Sequence, residues 1–231
     1  MRASRLPKTA PSSRSEENAP ATTLAALLVE IQRCRICRDR PIARPLPHEP
    51  RPVVRASTTA RIVICGQAPG TRVHASGMPF TDPSGDRLRT WMGVTEVEFY
   101  DTERIAIVPM GFCFPGLDGK GSDLLPRREC AAAWHTRLFG LLPQLEVLLL
   151  VGQAAQKWHL GPLARLTLGA TVADWRRFSH PVSTRTHVEI TVFNLPHPSW
   201  RNTGWLKKNP WFETDVLPDL RRRVRAELSR A

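Results

Sequence analysis

The chain has 231 residues, enough for one large α/β domain or two small ones with a full hydrophobic core. Its net charge of +12 favours a polyanionic partner such as DNA, RNA or an anionic membrane surface, although codon bias toward Arg would give a similar value. The longest apolar run, residues 145–151, is far shorter than the ~20 residues that cross a bilayer. We therefore expect no membrane span. Because the chain begins with no signal-like segment, we expect a cytoplasmic protein associated with the bacterial nucleoid.

Residues 1–21 are rich in Pro, Ser, Arg and Lys and show no periodicity. They predict a disordered basic tail in front of a domain over residues 22–231. A pair of threonines can cap a first helix, whose apolar residues follow helical spacing and which is predicted to end at Cys34–Cys37. Five prolines between residues 41 and 52 then forbid regular structure.

Short apolar runs alternate with longer helical segments along the rest of the chain. The strands are predicted over residues 61–65, 104–108, 146–151 and 188–195. The helices are predicted over residues 86–92, 129–142, 153–159 and 211–228. This alternation indicates a three-layer αβα sandwich with a central four-stranded, mainly parallel sheet. Ligands of such folds bind beyond the carboxyl ends of the strands, which is where Gly66 and His197 fall.

Three short loops can carry chemistry. Gly66–Gly70, Gly-Gln-Ala-Pro-Gly, follows the first strand as a sharp turn whose N–H groups can hold a carbonyl oxygen, a phosphate or a water. A plain strand-to-helix turn would use similar residues. Phe80 stands between prolines and turn residues, and it can stack on a base or pack on its own domain. In His197–Asn202, the His can donate to a leaving group while the Ser and Arg hold phosphate.

These loops, in this order, resemble those of the uracil-DNA glycosylases, and the resemblance runs from about Cys34 to Leu228. The first loop and the cysteine pattern are most similar to the thermophile-type family that carries an iron–sulfur cluster. The resemblance implies a monofunctional glycosylase, acting as a monomer on DNA. Such an enzyme flips uracil or another deaminated base out of the duplex, hydrolyses its N-glycosidic bond and leaves an abasic site.

The resemblance also implies roles for individual residues. His197 would stabilise the uracil anion, with Gln67 as a second catalytic residue. Asp82 is added to the catalytic set as a hypothesis, because it closely follows Phe80 in the sequence. Phe80 would stack on the base, which Gln67, Ala68 and His197 would also contact. Met110 and Gly111 complete the predicted base-binding set as residues whose backbone could read the base. Residues at the DNA backbone or beside the base-extruding loop would be Ser199, Arg201 and Asn202, with Lys207 and Lys208 near phosphates.

Two features depart from the family's pattern. The Gln67-Ala68 pair gives the first loop no carboxylate to orient the attacking water. Asp82 or Asp86 could replace it, although either could instead cap a helix. The loop over residues 108–113 has no Asn to read the uracil edge, so its backbone could read the base instead, and hypoxanthine or xanthine become further substrates to consider.

Four cysteines have the spacing of a metal site. Cys34 and Cys37 lie three residues apart, and Cys113 and Cys130 are separated by sixteen residues. Thiolates in this arrangement suit a tetrahedral zinc or an iron–sulfur cluster, while four unliganded thiols are the simpler alternative. The resemblance implies a [4Fe-4S] cluster remote from the base pocket. Cys65 lies within a predicted strand and is expected to be a buried apolar residue.

The sequence is also compatible with two other functions. The missing carboxylate of the first loop makes a non-catalytic DNA-damage-binding module the main alternative. Retention of the abasic site as a covalent adduct is another. The Arg-rich insertion that this behaviour requires is not evident, although His74 lies in the corresponding stretch.

Overall fold

The protein is represented by a computed structural model that describes residues 23–187 and 189–230. The predicted basic tail over residues 1–21 lies outside the described residues.

A single parallel sheet forms the centre of the domain. Its strands are β1 (Ile62–Cys65), β2 (Ile105–Ile107), β3 (Val147–Val151) and β4 (Thr191–Leu195). They are ordered β2-β1-β3-β4, and each neighbouring pair is parallel. Every strand residue is buried, as expected for a sheet that helices cover on both faces. Each strand lies within its predicted range, which confirms the four-stranded sheet and makes it wholly parallel.

Eleven α-helices connect and cover the strands within the described residues. In chain order they are α1 (Leu24–Gln32), α2 (Ile36–Asp39), α3 (Thr71–Ser76), α4 (Pro83–Met92), α5 (Glu96–Tyr100), α6 (Arg128–Phe139), α7 (Gln153–Leu160), α8 (Leu168–Ala173), α9 (Trp175–Phe178), α10 (Thr203–Lys208) and α11 (Leu217–Leu228). Helices α1, α6 and α7 pack on the sheet face that bears Val63 and Leu148. Helices α4 and α11 pack on the opposite face, against Ile64 and Leu149. The predicted three-layer αβα sandwich is confirmed.

Helix boundaries differ from the sequence-based expectation where local capping decides them. α4 begins three residues before its predicted start because Asp82 accepts a hydrogen bond from the Gly85 N–H, and Pro83 suits the first helical position. α1 ends at Gln32, ahead of the cysteine pair. The predicted C-terminal helix is divided, because Phe212–Val216 forms a widened π-type turn in front of α11.

No helix among the described residues combines the length and the apolar character that a membrane crossing needs.

A buried ion pair ties the start of β1 to the last helix. Arg61 Nε lies 2.9 Å from Glu227 Oε2, and the Glu227 side chain is fully buried. The Nη2 atom of Arg61 lies 3.2 Å from Oε1 of Glu146, a residue just before β3. Arg230 also contacts Glu227, at 3.2 Å. A buried carboxylate needs such partners because removing it from water is costly. This ion pair therefore fixes the strand that leads into the first loop.

We expect Arg61→Ala to lower the free energy of unfolding by about 3 kcal/mol, because it removes the closest cation from a buried carboxylate. The matched control is Arg222→Ala, since Arg222 is 77% exposed and pairs with Asp219 on α11, the helix that carries Glu227. That change should cost less than about 1 kcal/mol. Urea unfolding followed by circular dichroism measures both, and equal losses would contradict the special role of Arg61.

Candidate functional site

A cleft of about 320 Å³ opens beyond the carboxyl ends of β1 and β2. It is the size of a small-molecule or nucleobase pocket. The loops at this edge of the sheet supply its walls, which bring together five of the predicted site residues. The residues that line it include Gln67, Ala68, Phe80, Asp82, Asp123 and His197.

The first loop is held by backbone hydrogen bonds from the loop after β2. The Met110 N–H donates to the Gly66 carbonyl at 3.0 Å, and the Gly111 N–H donates to the Gln67 carbonyl at 2.8 Å. These two N–H groups are therefore already used. Met110 lines a neighbouring groove rather than the wall of the cleft. Both residues support the first loop from behind.

The Gln67 side chain lies across the end of β3. Gly152 follows that strand with a φ of +90°, and a Cβ atom there would approach Gln67 Nε2 to 2.9 Å. A larger residue at position 152 would therefore push the amide out of place. The Gln67 side chain borders both the cleft and the neighbouring groove.

Phe80 enters the cleft from a strained backbone. Its φ is +57°, which is unusual for a bulky residue. Its ring packs edge-on against Phe99, with 5.9 Å between centroids, and its edge reaches the space above Gly66. The hydroxyl of Tyr100 and the guanidinium of Arg89 both donate to the Phe80 carbonyl at 3.2 Å. Strain held in place by such contacts is typical of functional sites.

His197 has a defined tautomer. The Ser199 N–H donates to His197 Nδ1 at 3.2 Å, so the proton of the neutral ring is on Nε2. Asn202 Nδ2 donates to the His197 carbonyl at 2.7 Å and fixes the backbone. Burial lowers the pKa of His197, while the nearby charge of Asp82 acts in the opposite direction. The ring is therefore neutral at pH 7, with one N–H available as a donor.

The acidic residues take different positions. Asp82 lines the cleft and also caps α4. Asp86 is 74% exposed, forms an ion pair with Arg89 at 2.6 Å and does not line the cleft. Asp123, which the sequence analysis did not identify, reaches the cleft from the segment between β2 and α6. No motif surrounds it in the sequence, so only the folded chain reveals its position.

The loop after β4 places several groups at the mouth of the cleft. Arg201 donates to the Ser122 hydroxyl at 3.2 Å. Ser199 accepts a hydrogen bond from Arg87 through its carbonyl, also at 3.2 Å. Trp200, between them, is 76% exposed and stands out from the loop. The exposed lysines of α10, Lys207 and Lys208, follow on the same segment.

A basic groove of about 590 Å³ borders the cleft at Gln67. Its cationic residues are Arg127, Arg128, Lys157 and Arg185. The Arg185 guanidinium lies 4.7 Å from the centre of the Trp158 ring, which also lines the groove. A groove with this charge attracts a polyanion and offers it an aromatic surface.

Four cysteines surround a small enclosed space beside the core that α1 and α6 form with the sheet. The space is lined by Cys34, Cys37, Cys113 and Cys130 together with Leu46, Pro50, Pro52, Phe112 and Trp134. Two N–H groups point at sulfur: Phe112 N–H donates to Cys130 Sγ and Trp134 Nε1–H to Cys34 Sγ, both at 3.3 Å. The structure thus brings the four predicted ligands together.

Cys65, the remaining cysteine, is buried and makes polar contacts. The Cys65 thiol donates to the Val108 carbonyl at 2.9 Å, and its sulfur lies 3.2 Å from His159 Nε2. Cys65, His135 and His159 are fully buried, and their ligand atoms lie within 4.8 Å of one another. This polar group sits directly below the first loop, and the sequence analysis did not identify it.

A model of the Uracil DNA glycosylase superfamily matches residues 54–221. The matched range contains all four strands, the first loop, Phe80 and the loop that begins at His197. Cys34 and Cys37 precede it.

Gly85→Ala should displace Phe80 and close the cleft, because a Cβ atom at position 85 would lie 1.8 Å from the Phe80 carbonyl oxygen. We expect the variant to lose ligand binding in the cleft and to unfold at a lower temperature. Gly204→Ala is the matched control, since no atom lies within 4 Å of its added Cβ. Thermal unfolding and a crystal structure of each variant check this, and an unmoved Phe80 in Gly85→Ala would contradict it.

Proposed function

The chain belongs to the uracil DNA glycosylase superfamily, whose members act on DNA, and on this premise we propose that it hydrolyses the N-glycosidic bond of uracil or another deaminated base in DNA. The observation that carries the proposal is the pairing, across one cleft, of the Phe80 ring with a neutral His197 whose free N–H is on Nε2. An aromatic face binds a flipped base, and the N–H stabilises the base as it leaves.

Base recognition would involve Phe80 and the first loop. Stacking on an aromatic ring contributes ~1–3 kcal/mol per base and does not depend on the identity of that base. Gln67 and Ala68 would contact the base edge. The Gln67 amide offers both donors and an acceptor, so it can pair with uracil, hypoxanthine or xanthine. The N–H groups of Met110 and Gly111 already hold the first loop, so these residues would act on the base through that loop.

His197 would stabilise the departing base. As the bond to C1′ breaks, its electron pair moves onto the base and negative charge develops on the carbonyl oxygen. An N–H that is already oriented stabilises this charge without reorganisation. The Ser199 N–H holds the tautomer that places the proton on Nε2. A carboxylate could orient the water that attacks C1′, and the two acidic side chains that line the cleft are Asp82 and Asp123.

DNA would run over the cleft and the basic groove. Arg128 and Lys157 in the groove, with Lys207 and Lys208 on α10, supply cations for phosphates. Ser199, Arg201 and Asn202 lie at the mouth, where they can contact the strand that carries the flipped base. The exposed ring of Trp200 suits insertion into the space that the base leaves. We propose that one copy of the chain suffices for this binding.

The function is tested with labelled oligonucleotides that contain uracil, hypoxanthine or xanthine, in single and double strands. We expect the wild type to release a free base and leave an alkali-labile abasic site. His197→Asn should lower the single-turnover rate by about 100-fold or more. Asn202→Asp serves as the comparison, because it changes the side chain that donates to the His197 carbonyl and leaves the His197 ring itself in place. DNA retention without release would favour the damage-binding alternative, and an SDS-resistant band would favour a covalent abasic-site adduct.

The pH dependence of base release should reflect the neutral His197. Because burial lowers its pKa below the ordinary value of about 6.5, the neutral form persists to more acidic pH than in an exposed histidine. Protonation of Nδ1 would also break the hydrogen bond from Ser199. The wild-type rate should therefore stay level as the pH falls to 6.5 and decline only below it, and this low-pH decline should disappear in His197→Asn. A decline centred above the ordinary histidine pKa would contradict this assignment.

We further propose that Cys34, Cys37, Cys113 and Cys130 hold a [4Fe-4S] cluster. The enclosed space that they line and the two N–H groups aimed at sulfur support this, because such hydrogen bonds stabilise cluster thiolates. Burial raises the pKa of Cys37 to about 12 and that of Cys113 to about 11, so a bound cation is needed to hold these thiolates. Bound there, the cluster would connect the segment around α2 with α6.

The cluster proposal predicts a brown protein after anaerobic purification, with iron and sulfide in equal amounts. Cys113→Ser should lose the iron and the visible absorbance. Cys65→Ala should keep both, because Cys65 is not among the residues that line the cysteine space. A colourless protein with one zinc per chain would identify the tetrahedral alternative, whereas a folded, metal-free preparation would exclude both metals.

A further inference from the structure

A carboxylate that no motif predicts stands at the rim of the cleft. Asp123 lies in the segment between β2 and α6, and its Oδ2 would be 3.2 Å from a Cβ atom built on Gly70. The first loop has no carboxylate of its own, since residues 66–70 are Gly-Gln-Ala-Pro-Gly. Asp123 therefore supplies an acidic group to this loop from a distant part of the chain.

The segment that carries Asp123 is a closed turn. The Asp118 carboxylate accepts the N–H groups of Lys120 and Ser122, each at 2.8 Å. The Leu124 N–H donates to the Gly116 carbonyl at 2.9 Å, and Leu117 pairs with Asp123 across an antiparallel bridge. These contacts hold the backbone that carries Asp123 beside the first loop.

The carboxylate is available for chemistry. Within the described residues its oxygens accept no hydrogen bond, whereas the Asp82 carboxylate caps α4. Partial burial and the charge of Asp82 raise the pKa of Asp123, and the Arg201 guanidinium acts in the opposite direction. A carboxylate with a raised pKa is a better proton acceptor than an ordinary one.

The position is also costly for DNA binding. An acidic side chain at the mouth of a cleft that receives DNA repels the phosphates, and nearby Arg201 offsets this only in part. A residue kept only for DNA affinity would be neutral or basic here. The negative charge of Asp123 would have a use after DNA has bound. It would stabilise the positive charge that develops at the sugar and would orient the water that attacks it.

Resting on the proposed glycosylase function, we infer that Asp123 is the carboxylate that orients and deprotonates the attacking water. In this step the C1′–N bond breaks and its electron pair leaves with the base toward His197 Nε2–H. The water oxygen bonds to C1′, and one water proton passes to Asp123. Asp82 then serves to cap α4 and to hold the charge environment of His197.

The test compares three carboxyl-to-amide variants in single-turnover base release and in DNA affinity. Asp123→Asn should slow release by about 100-fold or more, the range of a lost general base, without weakening the binding of uracil-containing DNA. Asp82→Asn should lose clearly less activity. Glu213→Gln is the matched control, because Glu213 is exposed and does not line the cleft, and its rate should be that of the wild type.

A chemical rescue separates catalysis from structure. Asp123→Ala should recover part of its rate when formate is added, because a small carboxylate can occupy the vacated space, whereas His197→Asn should not respond. Equal rates for the wild type and Asp123→Asn, or a loss with weakened DNA binding and no formate rescue, would overturn the role of Asp123 alone. A wild type that releases no base from any of the oligonucleotides would instead overturn the glycosylase function, and this inference with it.

Discussion

Burial of the sheet on both faces is the constraint on which the site depends. All residues of the four strands are buried, so the sheet offers no polar surface except at the ends of its strands. Parallel strands carry their carboxyl ends to one edge, and the connecting loops must gather there. The first loop, Phe80, Asp123 and His197 come from four separate parts of the chain and meet for this reason. The chemistry is therefore concentrated where the core allows it.

Much of this arrangement is readable in the sequence because it rests on local patterns. Apolar runs bounded by turn residues predicted all four strands, and the loops that follow the first and last of them predicted where Gln67 and His197 would lie. The start of α4 was placed too late, because the pattern of apolar residues does not show that Asp82 and Pro83 form its cap. The group of Cys65, His135 and His159 escaped notice for a different reason. Its members lie on three elements, and each alone looks like an ordinary core residue.

Asp123 shows the limit of reading residues in order. It lies more than fifty positions from the first loop, in a stretch with ordinary turn composition, and its relation to Gly70 exists only in the folded chain. The distribution of charge over the surface likewise exists only in the folded chain. The net charge of +12 predicted a polyanionic partner, but not that the cations border one side of the cleft while two carboxylates remain inside it. The cations of the groove attract the DNA backbone, whereas Asp82 and Asp123 give the cleft a local negative charge.

The tie between Arg61 and Glu227 has a consequence for how the protein is made. The two residues are 166 positions apart, so Arg61 cannot reach its closest carboxylate partner until α11 has been synthesised. The strand order places β1 between β2 and β3, which also arrive later in synthesis. Contacts of such separation slow folding, because a long loop must close before they form. In a chain emerging from the ribosome, the ion pair that fixes β1 behind the cleft would thus form only after Glu227 has been synthesised.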